Sequence, residues 1–87
     1  MQHQELQQNN RHKLLQAFAT ALAIDVSLIQ DTLAYNSIPQ WDSTAHMLLI
    51  AELENSFQLM LDTDDIIDMS SVEKAREILA KHGVVFV

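Results

Sequence analysis

The sequence contains no cysteine, which excludes disulfides, thiol nucleophiles and thiolate metal sites. A single glycine and a single proline leave little material for the tight turns of an all-β protein. No apolar run approaches the roughly 20 residues that a membrane-spanning helix needs. Residues 1–5 lack a basic flank and an apolar segment, so we expect no signal peptide and a cytoplasmic location.

Apolar residues make up 48% of the 87 residues, which favours a folded domain over a disordered chain. The sequence is also rich in good helix formers, namely alanine, leucine, glutamine, glutamate and methionine. A chain of this length holds one domain with a thin core. The composition therefore predicts a single all-α domain.

Charge is distributed unevenly along the chain, whose formal net charge is −7. No lysine or arginine lies between Leu14 and Val72. The acids in this interval are Asp25, Asp31, Asp42, Glu52, Glu54, Asp62, Asp64, Asp65 and Asp68. This sign argues against nucleic-acid binding, which depends on neutralising phosphates. The acids predict basic protein partners, or they serve only to keep a small domain soluble.

The first half of the chain predicts one helix followed by a long loop. Residues 1–9 are rich in glutamine and asparagine and predict a flexible lead-in, into which a first helix could extend, and Asn9 or Asn10 is a candidate cap for that helix. Apolar residues at helical spacing then predict a helix ending near Ala23 or Ile24: Leu14, Leu15, Phe18, Ala19 and Leu22. Residues 25–40 lack periodicity and predict a packed loop with a helical turn around residues 27–31.

A central stretch, residues 41–57, carries the strongest helical pattern. Asp42 and Ser43 are both favourable helix-start residues, because their side-chain oxygens accept hydrogen bonds from unpaired backbone N–H groups. One face of the helix is predicted to hold His46, Leu49, Ile50, Leu53 and Phe57. The opposite face is predicted to hold Thr44, Leu48, Ala51 and Asn55. The Ser43 hydroxyl is thus expected at the exposed start of an amphipathic helix.

Two shorter helices are predicted after the central one. Thr63 is expected to cap a brief helix that ends near residue 68, and Asp64 suits the positive end of its dipole. Ser70 and Glu73 form a candidate capping box for a last helix that Gly83 ends. That helix is predicted to bury Val72, Ala75, Ile78 and Leu79. Residues 84–87 form an apolar tail that either packs on the domain or is exposed.

The Asp42-Ser43 pair at a helix start, followed in order by Phe57, residues 61–66 and residues 70–72, resembles the phosphopantetheine attachment region of the acyl carrier protein family. The resemblance covers residues 10–83. It implies a small four-helix bundle with a long first loop and a short third helix. It also implies a 4'-phosphopantetheine group on Ser43, with Asp42 supporting the modification, in a carrier that is not an enzyme. Thr44 replaces the leucine that usually follows the serine in this family.

The resemblance further implies a monomer whose partners are a phosphopantetheinyl transferase and acyl-activating and acyl-transferring enzymes with basic or apolar docking patches. The residues expected to bind them are Thr44, Leu48, Ala51, Glu52, Asp64 and Asp65. Leu48, on the outer face of the central helix, and Ala45 replace acids that are usual in the family. This difference favours a specialised lipid or secondary-metabolite pathway over general fatty-acid synthesis.

The same residues argue against several other functions. Ser43 and His46 lack a glycine-framed nucleophile elbow and a placed carboxylate, which argues against a hydrolase. The acids that begin at Asp62 do not form a calcium loop, because Ile67 occupies the required glycine position. The four histidines show no metal-ligand spacing, so no metal site is expected.

An aminoacyl carrier and an unmodified helical protein-interaction module remain alternatives. The glycines and histidine usual before the serine of peptidyl carriers are absent.

Overall fold

The computed structural model describes the backbone of residues 2–86 and the side chains of residues 9–86. Within this range the chain forms four α-helices and no β-strand, which confirms the all-α prediction. The helices are α1 (Gln2–Leu22), α2 (Ser43–Phe57), α3 (Thr63–Asp68) and α4 (Val72–Lys81). A short 3-10 helix, Val26–Leu28, lies in the long connection between α1 and α2.

The first helix extends back through the predicted lead-in, one of the possibilities that the sequence left open. Because α1 starts at Gln2, Asn9 and Asn10 lie inside it, and the prediction that either caps the helix is wrong. The Asn10 side-chain amide instead donates to the carbonyl of Val85 at 3.0 Å. Residues Met1 and Val87 lie outside the described residues, and the predicted domain boundaries at residues 9 and 84 stay predictions.

The helices and the long loop contribute to one hydrophobic core. The largest fully buried side chains are Trp41, Phe18, Leu49, Leu53, Met69 and Leu79. The rings of Phe18 and Trp41 pack edge to face, with their centroids 5.3 Å apart. The inward faces predicted for α2 and α4 are confirmed at Leu49, Ile50 and Leu53 and throughout the α4 set.

The long loop is packed, as predicted, and its backbone is bonded to the start of α4. Tyr35 N–H donates to the Ser70 carbonyl at 2.9 Å, and Val72 N–H donates to the Leu33 carbonyl at 3.0 Å. Asp31 adds to this connection. Its backbone carbonyl accepts a hydrogen bond from Glu73 N–H, and its carboxylate accepts from both terminal nitrogens of Arg76. These bonds fix the chain that leads into α2.

Two helix caps differ by one residue from the prediction. Asp62, not Thr63, caps α3, and its carboxylate accepts from Asp65 N–H at 2.8 Å. A carboxylate also interacts favourably with the positive end of the helix, which a threonine hydroxyl does not. Ser71, not Ser70, caps α4 by accepting from Lys74 N–H at 3.1 Å.

The C-terminal tail packs on the domain over residues 84–86. Gly83 has a φ of 95°, a left-handed conformation that glycine adopts without steric cost, and it turns the chain back after α4. Val84 N–H then donates to the Leu79 carbonyl at 3.1 Å. The ring of Phe86 lies edge-to-face on the ring of Phe57, with centroids 6.2 Å apart. Of the two arrangements that the sequence left open, the packed one is therefore found.

Candidate functional site

Ser43 is the first residue of α2 and its side chain is exposed. Asp42 caps the helix as predicted, with its carboxylate accepting from Ala45 N–H at 2.9 Å. The Asp42 carbonyl also accepts from His46 N–H at 2.9 Å. These two bonds fix the first turn, so the Ser43 hydroxyl sits where the helix dipole favours an attached negative group.

His46, one turn after Ser43, connects the start of α2 to α3. The indole N–H of buried Trp41 donates to His46 Nδ1 at 3.0 Å. With Nδ1 accepting, a neutral ring carries its proton on Nε2, which lies 2.9 Å from the Ile66 carbonyl and donates to it. The half-buried position predicted for His46 is confirmed. Both ring nitrogens have structural partners, so neither is available to accept a proton from Ser43.

A cavity of about 220 Å³ lies beside this histidine. Its wall combines the loop, α2, α3 and the segment before α4, and is mainly apolar: Tyr35, His46, Ile66, Ile67, Met69 and Ser70. The sequence did not reveal this cavity, because its lining residues are far apart along the chain. The one available signal was the pair Ile66 and Ile67, since two adjacent isoleucines on a short helix cannot both face the core.

The outer face of α2 is exposed as predicted, at Thr44, Leu48, Ala51 and Asn55. Leu48 is 55% exposed and the adjacent Met47 is 56% exposed, so this face has an apolar component. Glu52 is half-buried. Ala45 is buried, because its helical phase matches that of Leu49, and it does not belong to the outer face.

Asp64 is exposed on α3, whereas the prediction that Asp65 is a docking acid needs correction. Asp65 is 6% exposed, and its Oδ2 lies 2.8 Å from His82 Nε2. Its Oδ1 lies 3.7 Å from Lys81 Nζ. The bond to His82 is the main cause that holds the pKa of Asp65 below its ordinary value. Asp65 faces inward, toward Lys81 at the end of α4 and His82 directly after it. Its side chain therefore connects α3 to the end of α4.

Among residues 9–86, no three histidine, aspartate or glutamate side chains are grouped so that they can hold a metal ion. None of the helices described above is both long enough and apolar enough to cross a membrane. No protein-family model, curated protein or solved structure matches this chain.

Proposed function

We propose that this chain is an acyl carrier protein, which holds acyl intermediates as thioesters on a 4'-phosphopantetheine arm attached to Ser43. The observation that carries the proposal is the exposed Ser43 hydroxyl at the first position of α2, directly after the Asp42 cap. The apolar cavity one helical turn away supports it further.

The local geometry suits a hydroxyl that an external enzyme modifies. Attachment would place a phosphodiester at the N-terminus of the 15-residue α2, where the helix dipole and the backbone N–H groups stabilise negative charge. The Asp42 carboxylate accepts a hydrogen bond from Ala45 N–H and so stabilises the first turn of α2. His46 is engaged by Trp41 and Ile66, so the transferase supplies the base.

The attachment reaction is a phosphoryl-group transfer. Ser43 Oγ forms a new bond to the phosphorus of the phosphopantetheine half of coenzyme A, adenosine 3',5'-bisphosphate leaves, and the serine proton passes to the transferase base. Once attached, the arm supplies a terminal thiol that forms thioesters with the cargo. The chain itself contributes the positioned hydroxyl and a stable helix start, and it does not act as an enzyme.

Cargo and partners follow from the surfaces near Ser43. A short acyl chain that folds back from the arm would bury apolar surface in the cavity formed by Tyr35, Ile66 and Met69. Partner enzymes would dock on the outer face of α2 and on Asp64, through an apolar contact at Leu48 and a basic patch opposite the acids. The apolar face favours a specialised biosynthetic pathway.

Intact-mass measurement tests this function. The purified chain, incubated with coenzyme A and a promiscuous phosphopantetheinyl transferase, is expected to gain one phosphopantetheine group, and Ser43→Ala is expected to abolish the gain. Thr63→Ala is the matched control, because Thr63 is also the first residue of a helix capped by aspartate, yet it is expected to leave the modification intact. An unmodified wild-type chain, under conditions that modify a known carrier, contradicts the proposal and favours an interaction module.

A further inference from the structure

The short helix α3 is held by two histidines, His46 on α2 and His82 directly after α4. His46 Nε2 lies 2.9 Å from the Ile66 carbonyl, and His82 Nε2 lies 2.8 Å from Asp65 Oδ2. Asp65 and Ile66 are adjacent, so both contacts act on the same turn of α3. Because a helix of six residues depends on its surroundings, a change in either histidine alters how α3 is held.

Protonation removes the acceptor that His46 offers to Trp41. The indole N–H of Trp41 donates to His46 Nδ1 at 3.0 Å. An imidazolium carries hydrogen on both ring nitrogens, so two N–H groups would then face each other across this contact. Trp41 is fully buried and its backbone is bonded to Asn36 and Ile38, whereas His46 is only half-buried. A buried donor without an acceptor is unfavourable, so the His46 ring moves away and its contact with the Ile66 carbonyl is weakened.

Protonation has the opposite effect at His82. A carboxylate only accepts hydrogen bonds, so His82 Nε2 donates to Asp65 whether the ring is neutral or charged. A charged ring makes this a charge-assisted bond, which is the stronger kind. The bond to His82 is also the main cause that lowers the pKa of Asp65, so this carboxylate stays ionised in mildly acidic solution. Lys81 Nζ, 3.7 Å from Asp65 Oδ1, is a second cation beside it.

The other titratable groups around the two histidines do not reverse these effects. Among the residues whose side chains are described, Asp65 is the one ion-pair partner of either histidine. The ring of Tyr35 packs on the His46 ring, with centroids 5.3 Å apart, and a phenol is uncharged in acidic solution. Asp42, at the start of α2, accepts from Ala45 N–H. The remaining acids of α3 and its cap are exposed: Asp62, Asp64 and Asp68.

We propose that α3 is a proton-responsive wall of the cavity beside His46: in mildly acidic solution it is released from His46 and held more tightly by His82. Tyr35 and His46 line one side of this cavity, and Ile66 and Ile67 of α3 line the other, so the release widens it. The device consists of contacts within the fold. It therefore stands whether or not Ser43 carries a phosphopantetheine arm.

NMR of the full chain tests the proposal, because the single tryptophan gives one indole N–H signal that reports on the bond to His46. The titration runs from about pH 7.5 to about pH 5.5, the range in which histidine ordinarily titrates. The Trp41 indole signal is expected to move together with the His46 ring signals. The protection of the Ile66 amide from solvent exchange is expected to fall about tenfold, while that of Phe18 in α1 is kept. An unchanged indole signal, or equal losses of protection at Ile66 and Phe18, overturns the proposal.

Three histidine variants assign the response to its residues. His46→Gln keeps an acceptor oxygen and a donor amide but does not titrate, so it is expected to abolish the response of Trp41 and Ile66. His12→Gln is the matched control, because it removes an exposed histidine of α1 and is expected to leave the response intact. His82→Gln removes the contact that strengthens in acid, so the Ile66 amide is expected to lose more protection than in the wild type. A response that survives His46→Gln, or equal protection in His82→Gln and the wild type in acid, contradicts the proposal.

Discussion

His82 Nε2 lies 2.8 Å from Asp65 Oδ2, so the residue directly after α4 is joined to the middle of α3. The carboxylate is buried, whereas the imidazole is partly exposed. A helix of six residues is too short to be stable by itself, and α3 depends on contacts with its surroundings. Among the described residues, the polar contacts that join α3 to the rest of the fold include the Asp65–His82 pair, the ion pair of Asp65 with Lys81 and the bond from His46 to the Ile66 carbonyl.

Removing the charge of Asp65 is expected to lower the stability of the fold. Asp65→Asn loses the charged acceptor of His82 while keeping the side-chain size, so the thermal midpoint at neutral pH should fall. Because the folded state lowers the pKa of Asp65, this contribution is complete above the unfolded pKa of about 3.9, declines below it, and is lost as pH falls through the lower pKa of the folded state. The wild-type and variant midpoints should therefore converge in acid, as followed by circular dichroism.

The control for this experiment is Asp64→Asn, which removes the same charge from an exposed neighbour on α3 and should change the midpoint little. His82→Gln should reproduce the loss seen for Asp65→Asn. Since the two residues share one interaction, the double variant should be less destabilised than the sum of the single variants. Strictly additive losses would show that the pair does not stabilise the fold.

The hydrogen bond between Trp41 and His46 gives a second stability prediction. Trp41→Phe removes the indole donor and part of a fully buried ring, so we expect a loss of about 2 kcal/mol or more in the free energy of unfolding. Tyr35→Phe alters a more exposed ring of the same cluster and should cost within about 0.5 kcal/mol. Urea denaturation followed by circular dichroism measures both, and similar losses would contradict a special role for Trp41.

Leu48 on the outer face of α2 should control how long partners stay bound. If a partner enzyme covers this side chain, Leu48→Ala removes buried apolar area worth roughly 1 kcal/mol or more and should speed dissociation. Leu28→Ala is the matched control, because Leu28 is 58% exposed but lies on the 3-10 helix of the loop. If the chain is a carrier as proposed above, surface-binding kinetics of the phosphopantetheine-loaded chain with an acyl-transferring enzyme measure the dissociation rates. Equal effects of the two variants would exclude Leu48 as a docking residue.

The uneven charge distribution should make stability depend on salt. The interval from Leu14 to Val72 holds nine acids and no lysine or arginine, and only some of these acids have basic partners in the described structure. Added sodium chloride or millimolar magnesium should screen the repulsion and raise the thermal midpoint at neutral pH. A midpoint that does not change with either salt would mean that the acids are too far apart to interact.

Features set by local periodicity could be predicted from the sequence, whereas features set by distant contacts could not. The buried faces of α2 and α4 followed from apolar residues three and four positions apart, which any helix brings together. The burial of Asp65 depends on His82, which reaches it only through the tertiary fold. The cap of α3 was missed because Asp62 and Thr63 have similar preferences and adjacent positions.

The hydrogen bonds between the long loop and the start of α4 affect the order in which the chain folds. Tyr35 and Leu33 pair with Ser70 and Val72, and both α2 and α3 lie between the two segments in sequence. Closing so long a connection costs chain entropy before any bond compensates for it. Neither segment gains these backbone bonds without the other, so we expect the loop and the last helix to become ordered together. We therefore expect the segment that leads to Ser43 to become fully ordered only once the start of α4 has paired with it.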